Sequence, residues 1–510
     1  MKNPTPIHAH RTHVPRWENT DCTPWTLRDR LGLLLAIALV LTSCGQKTDV
    51  PRESEVDSAQ STTAPPDSAK KSDRSVGEHP LPDHVLQFCA SQEQSARDLA
   101  KRADVPPPDD VWRYFEAAKV GDVVQADETY DCLVMERGGN HPDTNFPYTV
   151  HQPMLEAQLA IEQFSLCGTK YAMTYGSNIL AALPPGSVYL GNSDAGRGLP
   201  TVLARSSGKA NSIVILSPAQ MGNGGYRAYL RSIYGGKLNL PSEAEVEAAF
   251  DEYRQDARKR QGEGKLMQGE QVSVKDGETM VGGPTAYLEI AYRNVRLVQR
   301  SNPERDFFSQ GSGVPAWMLP CLAPHGAVLR VHREPLPALS VEDLQESDAY
   351  WEREVSVLVG SWLKPETTVQ QVCAFAEKVH LNQDLSGFSG DPEFVRNRQS
   401  GRNFADLRGD IARLYLWRIG SIQGMPTPTD YQVQAPEARR EMQLRAEHAL
   451  RQALALCPSC PVALFPYVGF LAADQRMEEA ARLVSIAAKH DPENQMIHQM
   501  AKKLEMLRQP

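Results

Sequence analysis

The chain has no apolar run long enough to cross a bilayer. Its longest, LGLLLAIALVL from Leu31 to Leu41, holds eleven residues, about half of the ~20 that a spanning helix needs. There is no dense stripe of Lys and Arg either, and the formal charge is −9. Binding to phosphate backbones draws on clustered cations, so no nucleic-acid partner is expected. Cysteine is sparse, with nine in 510 residues and no framework spacing, which argues against a disulfide-stapled scaffold. The histidines are scattered: His325 and His332 lie seven apart across a strand start. No H-E-x-x-H and no Cys/His cluster has metal-ligand spacing, so no metal and no cofactor is expected. G-x-S-x-G, G-x-G-x-x-G and G-x-x-x-x-G-K-[ST] are all missing, and no nucleophile can be paired with a base. The catalytic residues are therefore unassigned.

What is present is the composition of a water-exposed globular protein, 41% hydrophobic and 23% charged. At about 100–200 residues per unit, the length predicts two to four units.

The sharpest local signal is at the amino terminus. Arg28 and Arg30 precede the Leu31–Leu41 run, whose length suits the apolar core of a secretory signal. LTSC follows at Leu41–Cys44. An aliphatic residue, two small ones and a cysteine resemble the lipobox of bacterial lipoproteins. The resemblance implies that residues 1–43 are a lipoprotein signal peptide and that Cys44 is the lipidated first residue of the mature chain. Gly45, where inner-membrane lipoproteins often carry Asp, implies the periplasmic face of the outer membrane, if the cell has one. Several acyl chains, each contributing about 0.8 kcal/mol per buried methylene, make a stable anchor in the lipid bilayer.

Residues 44–83 are rich in Ser, Asp, Lys and Pro with almost no large apolar residue, and read as a disordered tether. Residues 84–150 carry helical periodicity broken at Gly121, predicting a helical hairpin. Between 151 and 339, helical and β-branched segments alternate. MLEAQLAIEQFSL and YAMTYGSNILAAL read as helices, GSVYLG and NSIVILSP as strands, and QVSVKDGETMVGG as a hairpin turning at Asp276–Gly277. The expected fold is α/β, Rossmann-like with a mainly parallel sheet. A helical region, 340–426, and a repeat region, 427–510, follow.

The repeat is visible in the residues. Ala446, Leu450, Ala453 and Pro458 recur as Ala480, Val484, Ala487 and Pro492, each shifted by 34. That period and those residue types resemble the second helix and closing proline of tetratricopeptide repeats. The first-helix positions depart from that pattern, with Leu464, Tyr467, Val468 and Leu471 in place of the usual Trp, Leu, Gly and Tyr. The α/β stretch resembles the soluble extracytoplasmic part of bacterial glycosyltransferase-like membrane proteins, some of which carry such tails. That likeness transfers no catalytic residue.

One stretch stands out as a candidate ligand site: VYLGNSDAGRGLPTVL, Val188–Leu203. With a strand ending at Leu190 and Pro200 in the first turn of the next helix, Asp194 and Arg197 sit in a loop at the carboxyl end of the sheet. Arg197 offers a fork of donors for a phosphate or carboxylate. Asn223, in the loop after the second strand, would converge on the same crevice if the strands are neighbours. The competing reading is a turn in which Gly196 and Gly198 supply unusual backbone angles. CPSC, Cys457–Cys460, has redox spacing but falls at a helix end, where no dipole lowers a thiol pKa. Trp317, Trp351, Trp362 and Trp417 suit sugar stacking or burial.

These signals converge on a membrane-anchored cell-envelope lipoprotein whose helical repeats bind or scaffold an envelope protein partner. The alternative is a ligand-binding or enzymatic α/β module acting on a nucleotide-sugar or glycan.

Overall fold

The structure is a computed structural model and describes residues 79–103, 105–138, 147–207, 212–275, 277–422 and 425–508. Cys22, the apolar leader, Cys44 and nearly all of the tether lie outside the described residues, as does Asp276. Among the described residues no helix is long and apolar enough to cross a membrane.

Three helices come first: α1 (Asp83–Ala100), α2 (Asp109–Val120) and α3 (Val123–Gly138). The expected hairpin is α2–α3, with Gly121 at φ 80° ending α2, and α1 packs on it as a third member. Helix α4 spans Tyr148–Ala181 and is broken at Gly168, whose φ of 68° and ψ of 158° are not helical. The two amphipathic segments read from the sequence lie on either side of that break. Asn397 repairs it from 230 residues away, its Nδ2 donating to the carbonyls of Leu166 and Cys167, each at 3.1 Å. Backbone acceptors freed by a broken helix must find donors when buried.

Strand β1 (Val188–Leu190) leads into α5 (Asp194–Ser206), and β2 (Val214–Leu216) into α6 (Gly224–Tyr234). Helix α7 (Glu243–Gly262) starts with a capping box between Ser242 and Glu245. The hairpin β3 (Gln271–Lys275) and β4 (Glu278–Gly282) follows, and α8 (Gly283–Ser301) carries Pro284 in its first turn. The hairpin and α7 close over a small separate core of Tyr253, Ala257 and Ala286. Strands β5 (Phe307–Ser309), β6 (Leu322–His325) and β7 (Val328–Val331) complete the main sheet.

That sheet has the order β2-β1-β5-β7-β6. Strands β2, β1 and β5 are parallel, whereas β7 runs antiparallel to both β5 and β6. The sheet is thus mixed, and the expectation of a mainly parallel one holds only for its first three strands. The reason is the short β6–β7 hairpin, which turns through Gly326 at φ 54° and leaves no room for a crossover helix. The outer edge of β2 is covered by the Tyr234 hydroxyl, which accepts from the Ile215 amide at 3.1 Å and donates to its carbonyl at 3.3 Å. A capped edge offers no template for another strand.

The rest is helical: α9 (Val341–Val359), α10 (Val369–Phe375) running into a wide turn at Ala376–Leu381, α11 (Pro392–Arg396), α12 (Arg398–Arg418), α13 (Pro436–Leu456), α14 (Pro461–Ala473), α15 (Met477–His490) and α16 (Gln495–Arg508). From α12 onward each long helix packs on the next, and α12 also packs on α14 and α4. Close approach is set by glycine. A Cβ at Gly401 would lie 2.7 Å from the Leu456 carbonyl oxygen, and one at Gly409 would lie 3.0 Å from Val462 Cγ1. Ala446, Leu450, Ala453, Ala480, Val484 and Ala487, the residues of the 34-residue repeat, are all buried. One apolar core runs from Val85 to Leu504 without interruption at residue 339.

Candidate functional site

The chain leaves β1 through α5 to β2 on one side, and returns through α6, α7 and α8 to β5 on the other. The carboxyl ends of β1 and β5 therefore form a topological switch point, the place where open α/β sheets bind ligands. Two loops meet there, Gly191–Ser193 after β1 and Gln310–Val314 after β5.

The crevice between them is filled by the protein itself. Gln310 is buried, and its Oε1 accepts from the Ser193 amide at 3.1 Å and from the Ser193 hydroxyl at 2.8 Å. Ser193 in turn caps α5, its Oγ accepting from the Gly196 amide at 3.0 Å. Of the donors that a phosphate would use at this helix start, the Ser193 amide is thus engaged by the Gln310 carboxamide and the Gly196 amide by the Ser193 hydroxyl. Asn192 ties the loops together, its Nδ2 donating to the Tyr292 hydroxyl at 2.8 Å and to the Ser312 carbonyl.

Asp194, Arg197 and Asn223 do not form the crevice that their order along the chain implied. Helix α5 starts at Asp194, six residues before Pro200, because Ser193 supplies the cap. Pro200 lies inside the helix, and Asp194 and Arg197 are helical residues rather than loop residues. Asp194 is exposed in the first turn. Arg197 turns the other way and is buried between α4 and α6. There its guanidinium reaches Gln152 Oε1 at 3.2 Å and Glu156 Oε1 at 3.4 Å and lies over the Tyr226 ring at 5.6 Å. Arg205, one face along, holds Glu156 Oε2 at 3.0 Å. Strands β1 and β2 are neighbours, yet Asn223 is the cap of α6: its Oδ1 accepts from the Gly225 and Tyr226 amides at 2.8 and 3.2 Å. Gly196 and Gly198 have no unusual backbone angle. They admit close neighbours instead: a Cβ at Gly198 would meet Leu159, and one at Gly196 would land on the Gln310 carboxamide.

Residues that the sequence reading did not single out complete the switch point. Asp410, on α12, is fully enclosed and accepts a hydrogen bond from the Ser312 hydroxyl, with Arg413 Nη1 at 3.2 Å from its other oxygen. Burial pushes its carboxyl up to about 7, against the pull of Arg413 and Ser312. Tyr175 and Tyr189 are buried beside it, and the Tyr189 hydroxyl has no hydrogen-bond partner among the described residues. The signal for Asp410 was a carboxylate set between Leu407, Ile411 and Leu414 on an apolar helix face. The signal for the loop was Gly311-Ser312-Gly313 directly after Phe307–Ser309.

The remaining candidates are structural. Cys457 and Cys460 are buried free thiols flanking the α13–α14 turn. Burial raises both, and Cys460 Sγ donates to Asp406 Oδ1 at 3.2 Å. Trp351 and Trp417 are core residues, Trp362 stacks on Phe375 at 4.4 Å, and Trp317 donates to Glu289 at 2.9 Å. Among the described residues no three His, Cys, Asp or Glu side chains are grouped to hold a metal. An open groove of about 460 Å³ runs between α10 and α15 over Ala374, Ala481 and Ser485, with the Glu377–Lys489 pair at 3.3 Å on its rim. Compared with known proteins, the chain matches no family model, no curated protein and no solved structure.

Proposed function

We propose that this is a lipid-anchored protein of the cell envelope that binds a protein partner through its carboxy-terminal helices. In this reading Cys44 carries the acyl chains and residues 45–83 are the leash. Helix pairs α12–α13 and α14–α15 are two tetratricopeptide-like units closed by α16. The buried repeat residues and the stepwise packing of these helices support that assignment. Strands β2, β1 and β5 with their helical crossovers make a Rossmann-like unit that serves as a platform.

One contrast carries the reading. The crevice at the ends of β1 and β5 is plugged by Gln310, with Arg197 turned into the core, whereas the helical part presents an open groove. A nucleotide-sugar or glycan would have to displace Gln310 first, and it would not find Arg197.

Two measurements test the proposal. Mass spectrometry of the native protein finds an acylated amino-terminal Cys44, and Cys44→Ala moves the protein out of the membrane fraction. In cross-linking from intact envelopes, Arg482→Glu with Lys489→Glu loses partners that the native protein keeps, at unchanged thermal stability. A native partner set on the groove variant overturns the docking role, and an unmodified residue 44 overturns the anchor.

A further inference from the structure

The loop that plugs the switch point is tied to the helical layer by a single ionisable group. Ser312 sits between Gly311 at φ 109° and Gly313 at φ 66°, a backbone open to almost no residue except glycine. Gly311 lies directly on Asp410: a Cβ there would be 2.8 Å from Asp410 Cβ and 2.9 Å from Leu329 Cδ1. The same loop carries Gln310 at one end and is held by Asn192 at its middle. Its attachment to α12 is the Ser312–Asp410 hydrogen bond.

We propose that Asp410 is a proton-controlled latch on the Gln310–Val314 loop. Protonated, it lies sealed beneath the loop; ionised, it favours lifting the loop off α12 and admitting water to the ends of β1 and β5.

The groups that face this carboxyl pull in both directions. On α12 itself Arg413 favours the ion and Asp406 opposes it. The Ser312 hydroxyl favours the ion from the loop. Tyr175 from α4, Tyr189 from β1 and Tyr292 from α8 are phenols that burial keeps neutral, so they bring no charge of either sign. One arginine and one hydroxyl do not offset the loss of water, and the closed carboxyl holds its proton up to about pH 7. A hydrated carboxyl ionises near pH ~4. The open state therefore binds fewer protons between those limits. Its share rises about tenfold per pH unit from roughly pH 4 to 7 and is level above that. Lifting the loop takes Gln310 off the start of α5, so the latch governs access to the one place in the sheet where its topology favours a ligand.

Hydrogen exchange of the full-length chain, read as protection factors so that the intrinsic pH dependence of exchange cancels, tests this directly. Amides of the Gln310–Val314 loop lose about tenfold in protection per unit between pH 5 and 7 and then level off. Amides in the middle of α13 and α14 lose no protection over the same rise in pH. In Asp410→Asn the loop is flat with pH. Ser312→Ala raises loop exchange at every pH but keeps the slope, since the carboxyl still titrates. A flat loop in the native protein overturns the latch, as does an unchanged slope in Asp410→Asn. Should that variant not fold, loss of the slope in Ser312→Ala overturns it instead.

Discussion

Gln310 and Ser193 make a double contact across the switch point, one carboxamide oxygen accepting from both the amide and the hydroxyl of the serine. The neighbouring Gly196 has no room for a side chain while that carboxamide is in place. Gln310→Ala leaves two donors without an acceptor and costs about 1–3 kcal/mol. Gly196→Ala expels the Gln310 side chain and costs a similar amount. The double variant is less damaged than the sum, because each change removes the reason for the other's penalty. Urea unfolding of the four proteins measures the coupling; simple additivity would show that the plug is not what excludes a side chain at 196. Added sulfate should raise the melting temperature of Gln310→Ala more than that of the native protein, since the freed Ser193 amide and the start of α5 suit an anion.

Glu156 stands between two arginines, Arg197 and Arg205, with all three side chains largely out of water. A buried ion pair gives little net stability, but removing one member strands the others. Glu156→Gln leaves two guanidinium groups facing a neutral amide and is expected to cost about 3–5 kcal/mol. Arg197→Met, which keeps the volume and leaves Glu156 with Arg205, costs less. Equal losses in the two variants, measured by denaturant unfolding at constant salt, would contradict a shared carboxylate.

Long amphipathic helices were legible in the sequence from their periodicity, as in the hairpin broken at Gly121. Both halves of α4 were legible as well, while their joining across Gly168 depends on Asn397, which no local pattern announces. Strand β5 was not legible: Phe307–Ser309 is three residues long and acquires its strand identity only from β1 and β7 on either side. Its absence from the reading also hid the switch point, since the site lies between β1 and β5. Arg197 misled for a physical reason. An arginine beside glycines resembles a phosphate loop, but the glycines here admit Leu159 and Gln310, and the cation is consumed by Glu156.

Gly401 on α12 packs its Cα against the backbone of α13, where a Cβ would meet the Leu456 carbonyl oxygen at 2.7 Å. Backbone cannot rotate aside as a side chain can. Gly401→Ala is therefore expected to cost about 1–3 kcal/mol, in spite of the better helix propensity of alanine. Gly409→Ala meets Val462 Cγ1 at 3.0 Å, a movable group, and costs less. Thermal melts of the two variants rank the contacts, and the reverse order would show that α12 and α13 separate more easily than they pack.

Thiol chemistry separates the seven described cysteines. Cys132 is exposed, and the other six are buried; burial pushes the Cys89 and Cys167 thiols up to about 12. Only thiolates attack alkylating reagents. Brief treatment with iodoacetamide at pH 8 should modify, of these seven, Cys132 alone, with the Cys457–Cys460 pair reacting only after unfolding. Peptide mass spectrometry locates the label. Fast labelling of Cys457 would show that the α13–α14 turn opens in the native state.

Acid sensitivity follows from opposing groups. Burial, reinforced by Arg408 and Arg451, lowers His448 to about 3, and burial with His380 and Arg398 lowers His490 to about 4. Both imidazoles are neutral in the fold, whereas in the unfolded chain they protonate near pH ~6.5. As pH falls below 6.5 the unfolded state gains two protons that the native state refuses, so their contribution to stability is lost. Asp410 works in the other direction, because its folded value lies above its unfolded one; its contribution is complete in acid and is lost as pH rises towards 7. Of these three groups, two imidazoles against one carboxyl contribute a loss of roughly 1.4 kcal/mol per unit on going from pH 6 to 5, and His84, His332 and His380, also lowered by burial, add to it in the same sense. Asp410→Asn removes the opposing contribution and steepens the native loss by roughly 1.4 kcal/mol per unit, while His448→Gln lessens it by a similar amount. Urea unfolding at half-unit steps from pH 4.5 to 8 reads all three slopes. An Asp410→Asn profile parallel to the native one would mean that this carboxyl is ionised throughout the range, and that the charge of Arg413 outweighs its burial.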